Sequence, residues 1–261
     1  MQPFWYKHFP RATFLARKAV YASYEPEMEL LGVLCEPTKS GIDVGAKVGM
    51  YTYRIRKHAR DVTAFEPIPL FNTMLRKVFG GRRARIEPYA VSNERTKTVL
   101  RMPYDKGGGP QFGRSTIDTG NPLRHEVVAR VEELEVETRT IDDYEWGGVG
   151  FIKIDVEGHE LAVLEGAAKT IDADHPNLLV ECNDDHCPGG VGKLTAWMQA
   201  RGYDLYFLEQ RQIRPVAEYD RDVHWKGQYI ENFICIHRSR AGLVDELRRC
   251  AQTADLRPRS I

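Results

Sequence analysis

The 261-residue chain lacks several features that would assign it to a particular class of protein. No stretch approaches the roughly 20 consecutive apolar residues that span a bilayer. The first residues lack the continuous apolar segment of a signal peptide. Lysine plus arginine number 37, as do aspartate plus glutamate, whereas nucleic-acid binding usually needs a basic excess. We therefore expect no transmembrane segment and no nucleic-acid partner.

Cysteine is scarce and scattered, with five residues in the chain. The sequence contains no CxxC pair and no cluster of histidine and cysteine at zinc-binding spacing. An odd number of dispersed cysteines favours reduced thiols and a cytoplasmic location. Cys182 and Cys235 lie inside apolar runs, where we expect plain core residues.

Three regions differ in their pattern. Residues 1–39 predict a helical extension, residues 40–240 alternate strands and helices, and residues 241–261 predict a terminal helix and tail. Alternating strands and helices are typical of an α/β domain with a mainly parallel sheet. The glycine- and proline-rich stretch 103–124 interrupts this alternation and is too long for an ordinary connection. We predict that it covers a pocket.

The turn after the first predicted strand contains Asp43, Gly45 and Gly49. Open α/β sheets bind ligands beyond the carboxyl ends of their strands. Asp43 would repel the pyrophosphate of a nicotinamide dinucleotide but attract the amino group and sulfonium of S-adenosylmethionine, and the glycine spacing departs from G-x-G-x-x-G. Glu66 ends the second predicted strand, where a carboxylate can accept hydrogen bonds from ribose hydroxyls.

Several segments together resemble one family. GIDVGAKVGMYT, AFEPIP, YAVSN, RTIDDY, FIKIDVEGHELAVLEGA and LLVECN follow one another in the order found in FkbM methyltransferases, over roughly residues 40–240. The resemblance implies a Rossmann-like class I fold with a doubly wound, mostly parallel seven-stranded sheet. It also implies S-adenosylmethionine as cofactor and O-methylation of a sugar, glycan or glycosylated natural product. The family usually has asparagine at Lys47, whose side chain we expect to turn outward.

The resemblance also distributes the cofactor over the first strand ends. It assigns the methionine part to Asp43, Gly45, Ala46 and Gly49 and the ribose to Glu66. The residues that it places around the adenine are Pro67, Ile68, Ala90 and Val91.

Acidic residues end the next two predicted strands. Methyl transfer to a hydroxyl needs the oxygen aligned behind the methyl group and its proton removed or masked. We expect Asp155 to lie nearest the transfer centre and to contact the cofactor, His159 to act as the base, and Glu157 to orient it or the substrate. A divalent ion such as Mg²⁺, held by Asp155, Glu181 and Asn183, is an alternative that the sequence leaves open.

Acceptor binding is predicted for Ser115 and Thr116 in the long stretch, together with Glu181. The acceptor would be a small molecule or a glycan, and a homo-oligomer is left open. Glu157 and His159 begin a predicted helix, where polar residues also serve simply as caps. Two other functions stay open, namely an oxidoreductase that uses a nicotinamide dinucleotide and a non-catalytic binding protein on the same fold.

Overall fold

The computed structural model describes residues 3–21, 25–81, 83–123 and 128–253. The strands are β1 Ser40–Val44, β2 Asp61–Phe65, β3 Ala84–Glu87, β4 Ala90–Val91, β5 Lys97–Asp105, β6 Val128–Arg139, β7 Val149–Ile154, β8 Asn177–Glu181, β9 Tyr203–Glu209, β10 Gln212–Pro215 and β11 Asn232–His237. The α-helices are α1 Pro3–His8, α2 Pro10–Tyr21, α3 Leu31–Leu34, α4 Met50–His58, α5 Pro69–Phe79, α6 Glu160–Glu165, α7 Ala168–Asp174, α8 Gly190–Gln199, α9 Lys226–Gln228 and α10 Leu243–Thr253.

The main sheet has the order β10-β9-β11-β8-β7-β1-β2-β3. Strands β3, β2, β1, β7 and β8 pair in parallel, and β11 runs antiparallel to both of its neighbours. The doubly wound, mostly parallel sheet is therefore confirmed, with eight strands rather than seven. The eighth strand, β10, folds back on β9 as a hairpin. The strand order reverses between β1 and β7, which is where such sheets bind ligands.

A second sheet of three strands, ordered β4-β6-β5, lies outside the main one. The sequence predicts one continuous strand over residues 84–91, but the structure divides it between the two sheets. Strand β5 extends into the predicted loop, and the bridges Arg101–Thr116 and Tyr104–Pro110 fold the loop back on it. The end of that loop at Arg124, like the predicted start of β6 at Val127, lies outside the described residues.

The helix predicted to follow β7 is two helices, α6 and α7, separated at Gly166. A Cβ atom on Gly166 would lie 2.1 Å from the carbonyl oxygen of Ser92. The chain passes that close to another backbone only without a side chain, and the regular helix is interrupted there.

Apolar side chains cover both faces of the sheet. Every residue of β1 and β7 is buried, as in parallel strands that have helices on each side. The N-terminal extension packs against the same core, because Tyr6 meets Phe71 of α5 with ring centroids 5.2 Å apart. All five cysteines are free thiols. None of the described helices has the length and apolar character required to cross a membrane. The predicted tail beyond residue 253 is outside the described residues.

Candidate functional site

The turn between β1 and α4 brings two strand ends together. Gly45 has a φ of +81°, and a Cβ atom there would lie 1.9 Å from the carbonyl oxygen of Asp155. The backbone N–H groups of Gly45 and Ala46 both donate to the Phe65 carbonyl oxygen, at 3.1 Å. Only glycine allows this approach, so the turn joins the ends of β1, β2 and β7 at one point.

Two pockets open on either side of this turn. The larger encloses about 640 Å³ and the smaller about 400 Å³, and they share Gly45, Lys47 and Asp155. The larger pocket is lined by the ends of β1 and β2, by β4 and by the β5–β6 loop, including Glu66, Pro67, Ile68, Ala90, Val91, Phe112, Ser115, Thr116 and Glu157. The smaller pocket is lined by Glu25, Met28, Asp43, Ala46, Val48, Met50, Tyr51 and Lys153.

Glu66 is held in a fixed position in the larger pocket. Its Oε2 accepts from the backbone N–H of Lys47 at 2.7 Å, and its Oε1 accepts from that of Ile68 at 2.8 Å. Burial raises the pKa of Glu66 to about 7, although these backbone hydrogen bonds favour the ionised form. The carboxylate retains further lone pairs for a ligand hydroxyl.

Asp43 occupies the corresponding position in the smaller pocket. The Thr52 hydroxyl donates to its Oδ2 at 2.5 Å. Burial raises the pKa of Asp43 to about 6, against the opposing effects of Thr52 and the nearby Lys153 ammonium. Gly49, predicted with Asp43 to hold the cofactor, lines neither pocket; a Cβ atom there would meet Leu75 and Phe79 at 2.5 Å. Its role in the structure is close packing of α4 against α5.

The sequence suggested that the Lys47 side chain turns outward, but the structure shows that it does not. It lines both pockets, and a Cβ atom built on Gly113 would lie 2.4 Å from its Nζ. Its own backbone has a φ of +49°. The positive charge lowers the pKa of Glu66 and of Glu157 against the effect of their burial. Lys47 therefore compensates part of the negative charge around the site.

Three carboxylates meet at the rim beyond β7 and β8. Oxygens of Asp155, Glu157 and Glu181 all lie within 4.8 Å of one another. Burial, and next the charge of Asp155, raise the pKa of Glu157 and of Glu181 well above the usual range. The Lys153 ammonium lies 3.9 Å from Glu181 Oε2. Such a cluster favours the approach of a positive charge or the retention of protons.

The backbone at Glu157 is strained. Its φ of +56° is unusual for a residue with a side chain. The following turn is held by Glu160, whose Oε1 accepts from the Gly158 N–H at 2.9 Å, and by Asn121, whose Nδ2 donates to the Glu157 carbonyl oxygen at 2.6 Å. Strain of this kind concentrates at functional sites, and here it directs the Glu157 carboxylate toward Asp155.

His159, the base predicted from the sequence, lies apart from both pockets. Its Nε2 is 2.9 Å from the Ser92 hydroxyl, its Nδ1 is 3.6 Å from a carboxylate oxygen of Asp118, and it contributes to the lining of neither pocket. His186 also lines neither pocket, but it reaches the acidic rim. The Nδ1 atom of His186 lies 3.0 Å from Glu157 Oε2.

Asn183 does not join the predicted cation-binding group. Its Oδ1 accepts from the backbone N–H groups of Asp185 and His186, at 3.1 and 3.0 Å. The oxygen that would bind Mg²⁺ is thus used to form a turn. In the described residues, Glu157 takes its place beside Asp155 and Glu181.

Ser115 and Thr116 both line the larger pocket, on the same side as Glu66. The Thr116 hydroxyl accepts from the Asp118 N–H at 3.0 Å and stabilises the loop. The Ser115 hydroxyl oxygen is buried and makes no hydrogen bond to the described part of the protein. A buried hydroxyl of this kind is normally satisfied by a ligand or water, so the Ser115 hydroxyl is available to a polar ligand or a bound water in this pocket.

Three residues of the smaller pocket were not predicted from the sequence, namely Glu25, Tyr51 and Lys153. Lys153 carried a signal, because it is a lone charge within the apolar strand β7. Glu25 reaches the site from the N-terminal extension, and no local sequence pattern predicts such a long-range contact. The two pockets share Gly45, Lys47 and Asp155 and so adjoin each other at this turn.

Comparisons with known proteins identify a family. The family model of the methyltransferase FkbM domain matches residues 43–205, more than half of the chain. Methyltransferase 1 of Beauveria bassiana (strain ARSEF 2860) is 24% identical over 183 residues, which cover 62% of this chain and 71% of that protein.

Among solved structures, the fold is similar to that of methyltransferase FkbM from Methylobacillus flagellatus KT. The TM-score is 0.50 at 17% identity, over 77% of this chain and 44% of the other, so the chain spans less than half of that structure. The chain belongs to the family of methyltransferases that carry the FkbM domain.

Proposed function

We propose that this methyltransferase uses S-adenosylmethionine to methylate a hydroxyl group of a sugar, glycan or glycosylated natural product. The observation that carries the proposal is the position of Asp155, which lines both pockets and whose carboxylate lies close to those of Glu157 and Glu181 at the rim. The carbohydrate class comes from the family resemblance. The acidic rim is compatible with it, because carboxylates accept hydrogen bonds from hydroxyl groups.

The two pockets divide the cofactor between them. The adenine would lie against Ile68, Ala90 and Val91, with the ribose hydroxyls on Glu66 and a polar contact to the unsatisfied Ser115 hydroxyl. The amino group would lie in the smaller pocket, near Asp43. Gly45, Lys47 and Asp155, which line both pockets, would lie along the middle of the cofactor.

The bound cofactor supplies an electrophilic methyl group on a positively charged sulfur. Asp155, Glu157 and Glu181 provide a negative potential there, and their closeness means that a cation relieves their mutual repulsion. A nicotinamide dinucleotide would instead bring a pyrophosphate to this turn, where Asp43 and Asp155 would repel it. The charge of the site therefore favours the sulfonium over the dinucleotide.

His186 replaces His159 as the proposed base. The Nδ1 atom of His186 lies 3.0 Å from Glu157 Oε2 and 3.1 Å from the Asn183 amide nitrogen. These two neighbours hold the imidazole beside the rim, where it would accept the proton of the acceptor hydroxyl. Asp155 and Glu157 would hold that hydroxyl in line with the methyl group. Glu181 would contact the acceptor from the end of β8.

Cofactor affinity should rise with pH. The pKa values of Glu66 and Asp43 are raised to about 7 and about 6, so both carboxyls hold protons in mildly acid solution. Their protonated forms favour the unliganded fold, and that contribution to stability is lost as the pH rises through these values. The amino group and the ribose hydroxyls need the ionised forms. We expect roughly tenfold tighter binding at pH ~7.5 than at pH ~5.5, measured by isothermal titration calorimetry.

The variant Glu66→Gln is the control for this pH dependence, because it keeps the shape of the side chain and removes its titration. Its binding should be weaker at pH ~7.5 and should vary less with pH. An affinity for the wild-type protein that is flat or that falls over this range would contradict the assignment of these two carboxylates.

Two histidine variants test which imidazole is the base. His186→Ala should lower kcat about 10²- to 10⁴-fold in transfer of labelled methyl to a mixed glycan pool, since general base catalysis contributes on that scale. His159→Ala is the matched control, and it should keep most of the activity because His159 contacts Ser92 and Asp118 rather than the rim carboxylates. Loss of activity in His159→Ala alone would reverse the assignment.

The same assay distinguishes the alternatives that the rim leaves open. Chelation of divalent ions should leave the rate unchanged if His186 is the base, whereas an essential Mg²⁺ on Asp155, Glu157 and Glu181 would make the chelator inhibitory. Binding of a nicotinamide dinucleotide but not of S-adenosylmethionine would identify an oxidoreductase. Cofactor binding without transfer to any glycan in the pool would favour a non-catalytic protein.

A further inference from the structure

The first two helices leave large apolar side chains in contact with solvent. Phe4, Trp5 and Phe9 are 53%, 51% and 49% exposed, and Leu15 is 61% exposed. We call these four residues the N-terminal patch. Ring centroids of Phe4 and Trp5 are 5.8 Å apart and those of Trp5 and Phe9 are 5.4 Å apart, so the aromatic residues form one continuous surface. A contiguous exposed apolar surface usually marks an interaction site.

The buried side of the same two helices fixes the outward orientation of the N-terminal patch. Tyr6 and Phe14 are buried, and their rings pack edge-on against Phe71 and Phe79 of α5, at 5.2 and 5.0 Å. The Thr13 hydroxyl donates to the Trp5 carbonyl oxygen at 2.9 Å, which ties α2 to α1. The patch is therefore held outward by core packing.

The N-terminal segment that carries the patch is basic. The chain is neutral as a whole, but the first 24 residues contain four lysine and arginine residues and no acidic residue. Lys7 and Arg11 are exposed on the two patch-bearing helices. Lys18 donates to the Tyr53 hydroxyl at 3.0 Å, and Arg17 donates to the Tyr6 hydroxyl at 2.9 Å. The helices thus combine exposed aromatic residues with a positive surface.

A shallow apolar groove adjoins the aromatic residues. It encloses about 520 Å³ and is lined by Trp5, Ala12, Thr13 and Ala16. The small side chains of Ala12 and Ala16 leave this space open beside the Trp5 ring. A groove of this kind can receive an acyl chain or an apolar side chain.

We propose that the N-terminal patch docks this protein on an anionic lipid surface. Aromatic and leucine side chains insert at the boundary of the headgroups and acyl chains, and lysine and arginine interact with anionic lipids, as in interfacial amphipathic helices. A second copy of the chain fits less well, because a symmetric contact would oppose two positive surfaces. The inference is independent of the acceptor assigned above.

The test is co-sedimentation of the full chain with vesicles of phosphatidylcholine, with and without phosphatidylserine. We expect binding to the anionic vesicles, weakening as salt is added. Trp5→Ala combined with Phe9→Ala should lower the vesicle partition coefficient at least tenfold. Lys7→Gln combined with Arg11→Gln should lower it roughly tenfold on anionic vesicles. Val223→Ala, which truncates an apolar residue 53% exposed outside the patch, is the matched control and should leave binding unchanged.

Thermal unfolding and size-exclusion chromatography accompany each variant, and methyl transfer in the absence of vesicles should be unchanged. Equal binding of wild type and both double variants to anionic vesicles would overturn the proposal, as would no binding by the folded wild-type chain. A dimer that dissociates in Trp5→Ala with Phe9→Ala would assign the patch to self-association instead. Binding of an acidic protein without any binding to vesicles would assign it to a protein partner.

Discussion

Asp155→Asn should lower kcat/KM at least about a hundredfold while changing the stability of the protein little. Loss of electrostatic stabilisation at a reacting centre typically costs 10²- to 10³-fold. The charge of Asp155 raises the pKa of Glu157 and Glu181, but it also raises that of the buried Lys153. Its removal therefore relieves one repulsion and weakens one attraction, so activity should fall much more than stability. Steady-state kinetics and thermal unfolding measure the two effects.

Asp61→Asn is the matched control for this variant. Asp61 begins β2, so it lies at the amino-terminal ends of the parallel strands, opposite the site. It pairs with Arg60 on the surface, at 3.0 Å. Neutralising it should change neither kcat/KM nor stability appreciably, because exposed ion pairs contribute little. If Asp155→Asn retains wild-type activity, or loses it only in proportion to unfolding, the place of Asp155 at the transfer centre is wrong.

Gly45→Ala should abolish cofactor binding through geometry alone. The new Cβ atom would lie 1.9 Å from the Asp155 carbonyl oxygen, with the backbone at a φ of +81°. Either β7 moves away or the turn changes conformation. Both outcomes displace Gly45 and Asp155, which line both pockets. We expect a loss of affinity beyond about a hundredfold, because displacements near 1 Å have effects of that size. We also expect a loss of roughly 2–4 kcal/mol in the free energy of unfolding.

Gly192→Ala provides the comparison within the same chain. Gly192 lies inside α8, and a Cβ atom there would meet nothing within 4 Å. Alanine should stabilise this helix by about 0.5–1 kcal/mol and leave cofactor affinity unchanged. Calorimetric titration with S-adenosylhomocysteine and urea unfolding apply to both variants. Normal affinity in Gly45→Ala would mean that the cofactor does not pass this turn.

The residues at the strand ends were the part of the site that the sequence predicted most readily. Asp43, Glu66 and Asp155 each follow an apolar run, and parallel pairing of β1 with both β2 and β7 brings them to one edge. This prediction needed only chain order and periodicity, because the carboxyl ends of parallel strands share an edge. Gly45 followed from the same reasoning. Gly49 did not, since a glycine in a turn gives no indication of whether it faces a ligand or a helix.

The choice between His159 and His186 depended on details that the sequence does not encode locally. Both histidines follow a strand by a few residues, and both have an acidic neighbour. The positive φ angles of Glu157 and Gly158, +56° and +104°, redirect the chain after β7. His159 consequently meets Ser92, whereas His186 meets Glu157. Tertiary contacts therefore decided which imidazole reaches the rim.

Long-range contacts also account for the smaller pocket. Glu25 is far from Asp43 in the chain, and it lines the same cavity because the N-terminal extension folds over the strand ends. The division of residues 84–91 between two sheets has a similar origin. Val91 pairs with Arg139, nearly fifty residues away, and such pairing leaves little trace in a short apolar run.

A crystal structure of the complex with S-adenosylhomocysteine tests the central claim most directly. We expect one molecule to occupy both pockets, with the ribose hydroxyls on Glu66, the sulfur beside Gly45 and Asp155, and the amino-acid end next to Asp43. A nucleoside bound away from Glu66, or a ligand confined to one side of Gly45, would contradict the account.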